Sequence, residues 1–386
     1  MRFSPKRKNN FFKKVFSSIS SGKKPDYILI GLIFLIIIFG LSVLSSASSV
    51  RAFNKFNDIY YFFKHQLVYG FLPGVFLFLF FFHFDYNKLQ KHSVSFLVLS
   101  LTFLGLVFIP GIGMTLNQAR SWLSLGPVSF QPTEIVKLLL ILFFAGWFAE
   151  RESDMTKDFW NGVIPFTIIL GLISLPIILQ PDIGTLIVII LVSFTMYFVA
   201  GGQLKHLAGL GLVGLGGVGL LIAQAPYRAA RLMTFLHPEF DPQGIGYHIN
   251  QAFLAIGSGG WFGLGFGQSR QKFAYLPEVM GDSIFAIIAE ELGFLVAIIL
   301  IGLFIFIFLR GLKVAQSSRD EYGKYVVVGI ISWFTIQTFL NIGAMVGLLP
   351  LTGIPLPFIS YGGSSLMSIM AATGILANIS KTAKIS

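Results

Sequence analysis

The chain's composition and pattern indicate an all-α integral membrane protein with about ten transmembrane helices. Of its 386 residues, 55% are hydrophobic and only 12% are charged, whereas a soluble domain carries about 25% charged residues. The apolar residues occur in runs of roughly 20, which is the length a helix needs to cross a bilayer. Basic residues are concentrated in alternate connecting segments, as in multi-pass membrane proteins.

The first 26 residues form a basic tail with a single acid, Asp26. Its eight basic residues are Arg2, Lys6, Arg7, Lys8, Lys13, Lys14, Lys23 and Lys24. Basic residues beside a first membrane helix mark the cytoplasmic side and contact anionic lipid headgroups. We therefore expect residues 1–26 to be a disordered cytoplasmic tail, and we expect no nucleic acid partner. The first apolar run is too long for a cleavable signal peptide and is expected to remain as an anchor.

Hydropathy then predicts ten spans, with boundaries accurate to a few residues. The spans are 27–49, 62–84, 93–110, 132–149, 161–179, 182–200, 204–223, 283–309, 325–349 and 359–379. Between the fifth and sixth spans, Pro181 is expected to end one helix and Asp182 to cap the next, which gives a tight hairpin.

The distribution of Lys and Arg predicts the orientation of these spans. With the N-terminus inside, the cytoplasmic segments hold more than twice as many basic residues as the external ones. This excess indicates that both termini are cytoplasmic. We therefore expect residues 27–380 to form one membrane domain, 381–386 to form a short cytoplasmic tail, and 224–282 to form a long extracytoplasmic loop between spans seven and eight.

Asp282, where this loop enters the eighth span, is the candidate catalytic residue. An ionisable side chain at membrane depth is costly and marks a functional site. Glu278 would share a face with Asp282 if the intervening turn is helical, and paired carboxylates suit acid/base chemistry. Alternatively, Glu278 begins a helix just after Pro277. Around the helix, Glu290 lies about 80° from Asp282 and Glu291 lies on the face opposite Asp282. Both are expected to bond to a neighbouring helix.

Several basic side chains on the outer side are candidates for binding an anion. Lys137, in the fourth span with Glu134, lies at the depth of Asp282, and buried opposite charges tend to pair. This predicts an Asp282–Lys137 contact. Arg120 and Lys272 are further candidates, because Arg binds phosphate in a bidentate manner and Lys acts as a point charge.

The glycine-rich run 257–267 does not have the Lys-Ser/Thr ending of a nucleotide-binding loop. We expect a flexible turn that places Trp261, Phe262 and Phe266 among the lipid headgroups; the alternative is a backbone that approaches a lipid phosphate. The chain has no cysteine, which excludes disulfides and thiolate chemistry. No cofactor is predicted to be required.

Four groups of residues together resemble the SEDS family of peptidoglycan glycosyltransferases. The groups are Ala119–Trp122 with 126–134 and Lys137; 180–185; 237–251 with 255–260; and 347–350 with 357–365. They cover nearly the whole chain after the basic tail, in the family's order.

The resemblance implies a ten-span enzyme that polymerises lipid II, in the bacterial cytoplasmic membrane and at the division septum. It implies Asp282 as the essential acid. Our own expectation is that Lys137, Arg120, Glu134, Gln251, Lys272 and Glu278 bind the substrate. It also implies a class B penicillin-binding protein and other division-complex membrane proteins as partners. Segment 269–273 and the basic tail resemble the FtsW division branch, whereas 354–358 is closer to the RodA elongation branch. The residues flanking Asp282 depart from the family's His-Thr-Asp-Phe pattern.

In the expected mechanism, Asp282 is the general base for an acceptor sugar hydroxyl. Lys137 and Arg120 would stabilise charge on the leaving pyrophosphate, and a divalent cation, Mg²⁺ or Mn²⁺, could share that task. Three alternatives stay open: an elongation enzyme of the same chemistry, a transporter of lipid-linked precursors, and a non-catalytic scaffold. A proton-coupled carrier would be expected to hold its acid near the bilayer midplane, whereas Asp282 is predicted near one surface.

Overall fold

A computed structural model of the chain describes residues 24–116, 119–125, 128–151, 156–223, 226–237, 244 and 246–383. The predicted tails therefore lie mostly outside the described residues. The helices are α1 (Tyr27–Ala47), α2 (Ser49–Phe56), α3 (Tyr61–His83), α4 (Asn87–Gln90), α5 (Ser93–Leu106), α6 (Pro132–Ala149), α7 (Phe159–Leu179), α8 (Ile183–Val199), α9 (Leu204–Ala223), α10 (Pro226–Leu236), α11 (Tyr247–Ser258), α12 (Ile284–Gln316), α13 (Glu321–Met345) and α14 (Gly363–Ser380).

Among the described residues, seven helices are long and apolar enough to cross a membrane, namely α1, α3, α6, α7, α12, α13 and α14. Helices α5 and α8 and the stretch Leu204–Leu220 of α9 are shorter apolar helices. Each of the ten predicted spans coincides with one of these elements, which confirms the multi-pass helical class. The boundaries differ most at α12, which extends to Gln316, and at α13, which begins at Glu321 rather than at 325.

A small antiparallel sheet, which the sequence analysis did not predict, connects α5 to α6. Its strands are β1 (Gly113–Leu116), β2 (Ala119–Leu125) and β3 (Val128–Phe130), in the order β1-β2-β3. The register pairs Met114 with Trp122 and Ser124 with Ser129. The strands are too short to show a clear two-residue alternation, which explains why hydropathy missed them.

Burial separates central helices from lipid-facing ones. In the most apolar window of α6, α13 and α14, between 83% and 89% of the residues are buried, whereas the corresponding share is 22% in α3 and 28% in α12. The outward side chains of α3 and α12 are apolar, as expected for a surface that contacts lipid. Helices α3 and α14 pack closely because Gly374 lies against the backbone of Phe78, where a Cβ would overlap.

Helix α12 is interrupted at Gly293, whose φ of 81° and ψ of 177° are not helical. The glycine-rich run fills this interruption. The N–H groups of Leu264 and Gly265 donate to the last carbonyls before the break, on Glu290 and Glu291. In return, the carbonyls of Gly260 and Trp261 accept from the first N–H groups after it, on Phe294 and Leu295. These four bonds satisfy backbone groups that water cannot reach inside a membrane protein.

The prediction of a flexible turn over 257–267 is therefore wrong. A Cβ on Gly259 would overlap the carbonyl oxygen of Ala289, and one on Gly263 would overlap that of Glu291. The glycines are needed for close backbone approach within the protein, and the N–H groups of Gly263, Leu264, Gly265 and Gly267 bond to the protein itself. Trp261 and Phe262 do point outward, with exposed fractions of 64% and 81%.

The polar contacts fall at two opposite ends of the helix bundle. At one end, Arg310 bonds to Asp26 (2.6 Å) and Tyr86 donates to Asp320 (2.5 Å). The segments predicted to be external meet at the other end, where the described part of the loop 224–282 lies beside α2, the start of α3 and the α13–α14 connection. This grouping agrees with the predicted alternation of spans, and the choice of the outer side remains a prediction.

Candidate active site

Asp282 lies in a non-helical turn just before α12. Ser283 occupies the position before the helix, and its hydroxyl bonds to the Pro277 carbonyl (2.8 Å) and to His248 Nε2 (2.6 Å). Glu278 has a left-handed backbone, with φ of 47°. Its carbonyl accepts from the N–H groups of Gly281 (2.9 Å) and Ser283 (3.3 Å). The proposed helical face shared by Glu278 and Asp282 is therefore wrong, and Glu278 does not begin α12.

The backbone that carries Asp282 is fixed by three successive carbonyls. The Met280 carbonyl accepts from the N–H of Tyr361 (2.8 Å), and the Gly281 carbonyl accepts from the hydroxyl of Ser360 (2.6 Å). The Asp282 carbonyl accepts from Asn341 Nδ2 (2.8 Å). Helix α13 and the connection to α14 thus hold the half-buried Asp282 in place.

Lys137 forms a buried polar cluster with side chains of α6 and α13. Its Nζ donates to Glu134 Oε1 and to Gln337 Oε1, both at 2.8 Å, and lies 5.0 Å from the centre of the Trp333 ring. The predicted Asp282–Lys137 pair is wrong: Glu134, three residues earlier on the same helix, neutralises the ammonium group. Residues three apart on one helix are neighbours, so Glu134 can bond to Lys137 however the helices pack against one another.

Helix α13 connects this cluster to Asp282. Gln337, which holds Lys137, and Asn341, which holds Asp282, are four residues apart and therefore about 6 Å apart along one helix face. Their amide groups also bind the neighbouring carbonyls of Pro355 (2.9 Å) and Ile354 (2.8 Å). The chain before α14 is thereby fixed to the same face.

Asp182 belongs to the same polar region. It caps α8 by accepting from the N–H of Thr185 (3.1 Å), as predicted. The charged groups of Lys137 and Glu134 lie near it. The carboxylates of Glu134 and Asp182 each have a buried oxygen with no hydrogen-bond partner among the described residues. An unpaired carboxylate oxygen of this kind can accept a hydrogen bond from a bound molecule.

Three other predicted site residues lie at this end without joining the cluster. Arg120 is half-buried on β2, with its Nε over Gly113. Gln251 is half-buried on α11, which packs against α12. Glu278 is 3.8 Å from Arg51 of α2, and both side chains are about half exposed.

Lys272 occupies a different place from the one predicted. It is buried, and its Nζ bonds to Glu291 Oε1 (3.1 Å), the Gly267 carbonyl (2.6 Å) and Ser46 Oγ (3.2 Å). All three donors of the ammonium group are used. Lys272 therefore holds the loop in place, and its ammonium group has no N–H left for a substrate.

Glu290 and Glu291 complete this loop attachment. Glu290 accepts from the hydroxyl of Ser269 (2.5 Å) and the N–H of Arg270 (2.9 Å). Glu291 accepts from Ser46 Oγ (2.7 Å) on α1 and from the N–H of Gly267 (3.0 Å). The expected bond to a neighbouring helix is thus present for Glu291, but both carboxylates mainly bind the loop.

Sequence reasoning missed Gln337 and Asn341, which position the two charged groups. The available signal was an amide side chain in an otherwise apolar span. Ser360 and Tyr361 lie within the motif 357–365, and His248 lies within the motif 237–251, but neither motif by itself assigns them a role. Within the described residues, no group of three or more His, Asp or Glu side chains could hold a metal ion.

Comparison with known proteins places these features in one family. The sequence pattern of the FtsW, RodA and SpoVE family, described as cell cycle proteins, matches residues 26–385. The chain is 43% identical to stage V sporulation protein E of Bacillus subtilis (strain 168), over 92% of this chain and 97% of that protein. It is 37% identical to a probable peptidoglycan glycosyltransferase FtsW of Geobacter sp. (strain M18), over 92% of this chain and 96% of that protein.

Two solved structures share the fold. The first structure was reported to show structural coordination of polymerization and crosslinking by a peptidoglycan synthase complex. Its TM-score is 0.75 at 27% sequence identity, and the match covers 94% of this chain and 99% of that chain. The other is the crystal structure of Thermus thermophilus rod shape determining protein RodA, with a TM-score of 0.69 at 26% identity, covering 94% of this chain and 98% of that one.

Proposed function

Because this chain belongs to the FtsW, RodA and SpoVE family of cell cycle proteins, we propose that it is a peptidoglycan glycosyltransferase that polymerises lipid II. The reaction takes place at the outer face of the cytoplasmic membrane during cell division. The observation that carries this proposal is the placement of Asp282 at a helix end, with its backbone fixed by Asn341, Ser360 and Tyr361. A relative at 37% identity is named a probable peptidoglycan glycosyltransferase.

The chemistry is a displacement at the anomeric carbon of the donor sugar. The 4-hydroxyl of the acceptor forms the new glycosidic bond as the bond to the lipid pyrophosphate breaks, which supplies the driving force without ATP. Asp282 takes the proton of the attacking hydroxyl as general base. Because the backbone is fixed, the carboxylate can take few positions. A base that is already held near the attacking hydroxyl lowers the activation barrier of the reaction.

The departing pyrophosphate needs positive charge or hydrogen-bond donors. Lys137 uses two of its three N–H donors on Glu134 and Gln337, which leaves one for a phosphate oxygen. Glu134 cancels much of its charge, so Lys137 acts mainly as an oriented donor. Arg120 supplies a half-buried positive charge, and Gln251 and Glu278 line the same end as sugar-binding candidates.

No cofactor is required in this proposal. A divalent cation, Mg²⁺ or Mn²⁺, could bind the pyrophosphate oxygens and share the charge of the leaving group. Polymerisation assays with EDTA, followed by addition of each ion, measure that contribution directly.

The proposed partner is a class B penicillin-binding protein, which would crosslink the strands, together with other membrane proteins of the division complex. Support comes from the similarity to a complex that coordinates polymerization and crosslinking. The proposed location is the division septum. The 37% identity to proteins named FtsW supports a role in division rather than in elongation.

The transporter alternative fits the site less well. Asp282 precedes the first residue of α12 and lies at one end of the bundle, whereas a carrier is expected to hold its coupling acid near the midplane. A scaffold would need neither a buried Lys137–Glu134 pair nor a fixed carboxylate at the same end.

The decisive experiment compares wild type with Asp282→Asn in liposomes that contain lipid II, with and without the cognate transpeptidase. Glu321→Gln is the matched control, because Glu321 is an exposed acid at the opposite end of the bundle. We expect glycan strands from the wild type and the control, and none from a folded Asp282→Asn protein. Strands from Asp282→Asn would remove Asp282 as the base, and lipid II crossing the bilayer without strand formation would favour the transporter.

A further inference from the structure

A row of four aromatic rings lies beside the turn that carries Asp282. Phe56 stacks on Tyr61 with ring centres 3.6 Å apart and planes 12° apart. Tyr61 faces His65 at 6.2 Å and 28°, and His65 contacts Tyr69 at 4.6 Å. Residues 61, 65 and 69 are four apart on α3 and therefore share one face. These residues are called the aromatic row below.

The aromatic row is joined to the Asp282 turn by direct hydrogen bonds. His65 Nδ1 bonds to the hydroxyl of Tyr361 at 2.9 Å. The N–H of Tyr361 donates to the carbonyl of Met280, two residues before Asp282. At the other side of the turn, Glu278 lies 3.8 Å from Arg51 on α2, the helix that carries Phe56. The row and the proposed base are therefore parts of one assembly.

Helix α3 is distorted where it carries the row. Residues Leu67–Phe71 form a π-helical turn, and such turns occur frequently at functional sites. Just before it, Gln66 accepts from the N–H of Gly362 at 3.1 Å, and Gly363 packs against the Tyr69 carbonyl. The loop that fixes the Asp282 turn therefore also fixes Tyr69.

The chemistry of the row differs from that of the lipid-facing part of the same helix. Further along α3 the outward side chains are Phe76, Leu79 and Phe80, which suit acyl chains. The row instead has rings with polar edges, two tyrosines and a histidine. Its terminal rings, Phe56 and Tyr69, are each 38% exposed. The inner rings, Tyr61 and His65, lie between neighbouring rings, so the faces offered to a ligand are the outer ones of the two terminal rings. An aromatic face carries negative charge density that attracts the C–H groups of a sugar, and tyrosine hydroxyls can bond to sugar hydroxyls.

We propose that the aromatic row is a carbohydrate subsite that binds sugar units of the glycan strand beside Asp282. This inference rests on the proposed function and names a binding surface for it. Tyr61 and Tyr69 are about 12 Å apart along α3, which is long enough for a disaccharide unit. The row keeps the strand near the base between successive additions.

The test uses the full chain in detergent and a soluble tetrasaccharide of alternating N-acetylglucosamine and N-acetylmuramic acid, observed by saturation-transfer NMR. Tyr69→Leu removes the ring but keeps an apolar side chain, Tyr69→Phe keeps the ring, and Phe56→Leu removes a ring at the other end of the row. Phe76→Leu is the control, because Phe76 is a 68% exposed ring on the same helix outside the row.

We expect Tyr69→Leu and Phe56→Leu each to weaken binding about three- to tenfold, as loss of one aromatic contact predicts, while Tyr69→Phe and Phe76→Leu bind like wild type. Equal binding by wild type and both row variants overturns the proposal. Equal weakening by Phe76→Leu also overturns it, because the effect would then belong to any exposed ring in the membrane.

Polymerisation separates this inference from the proposed function. In lipid II assays, Tyr69→Leu and Phe56→Leu should give shorter strands than wild type, and Phe76→Leu should not. Asp282→Asn should make no strands yet bind the tetrasaccharide normally. Absence of strands from the wild type would refute the proposed function, while the NMR measurement would still decide whether the row binds sugar.

Discussion

Replacing Lys272 by methionine should destabilise the protein far more than removing an exposed lysine. Lys272 is 6% exposed, and its ammonium bonds to Glu291 Oε1, the Gly267 carbonyl and Ser46 Oγ. Methionine keeps the volume of the stem but donates no hydrogen bond. Glu291 would then remain a buried carboxylate whose donors are Ser46 and backbone N–H groups, with no opposite charge.

Removing one partner of a buried ion pair costs about 3–5 kcal/mol. The donors that remain on Glu291 place the expected loss near the lower limit, about 3 kcal/mol. For a large chain this lowers the Tm by on the order of 5–10 °C. The double variant Lys272→Met with Glu291→Gln should recover part of the loss, because it removes the uncompensated charge.

The assay heats purified protein in detergent and measures the monodisperse fraction by size-exclusion chromatography. Lys64→Met is the control, because Lys64 has a partner in Asp58 at 2.9 Å but its side chain is 62% exposed; such a pair contributes at most about 1 kcal/mol. A Lys272→Met protein that melts with the Lys64→Met control would refute the conclusion that Lys272 fixes the loop. A double variant whose loss of stability exceeds the sum of the losses of the two single variants would also refute it.

Three further predictions concern other parts of the structure. Gly259→Ala should prevent stable folding, since its Cβ would overlap a carbonyl of α12, whereas Gly257→Ala, with open space around it, should express and elute as wild type in the same chromatography. Asn341→Leu should lower polymerisation at least tenfold in lipid II assays because it frees the Asp282 backbone; activity near wild type would show that this bond is dispensable. Burial lowers the pKa of Lys381 from 10.5 to about 8 despite its bond to a carbonyl. Between those pH values the unfolded chain binds a proton that the folded chain does not. Stability should therefore rise with pH there relative to Lys381→Met, and parallel Tm curves would contradict the shift.

The pattern of side chains along the chain was sufficient for the features that depend on local composition. Apolar runs must be helical in a membrane because every backbone group needs an internal partner, so the spans followed from hydropathy alone. The cap at Asp182 followed from its position after Pro181, and its hydrogen bond to Thr185 is present. The candidate base followed from the cost of a charge such as Asp282 at a helix entrance.

Tertiary structure decided which polar groups meet. Lys137 and Asp282 were matched in depth, but depth does not specify a partner, and Glu134 is nearer on the same helix. The sequence predicted Lys272 as an external cation that binds substrate, but in the structure it bonds to Glu291, which is 19 residues away in the chain. The glycine-rich run looked flexible because the sequence cannot show that α12 breaks at Gly293 and needs its hydrogen bonds. Each of these outcomes depends on residues far apart in the chain, and a buried polar group takes whichever partner the packing of helices brings within reach.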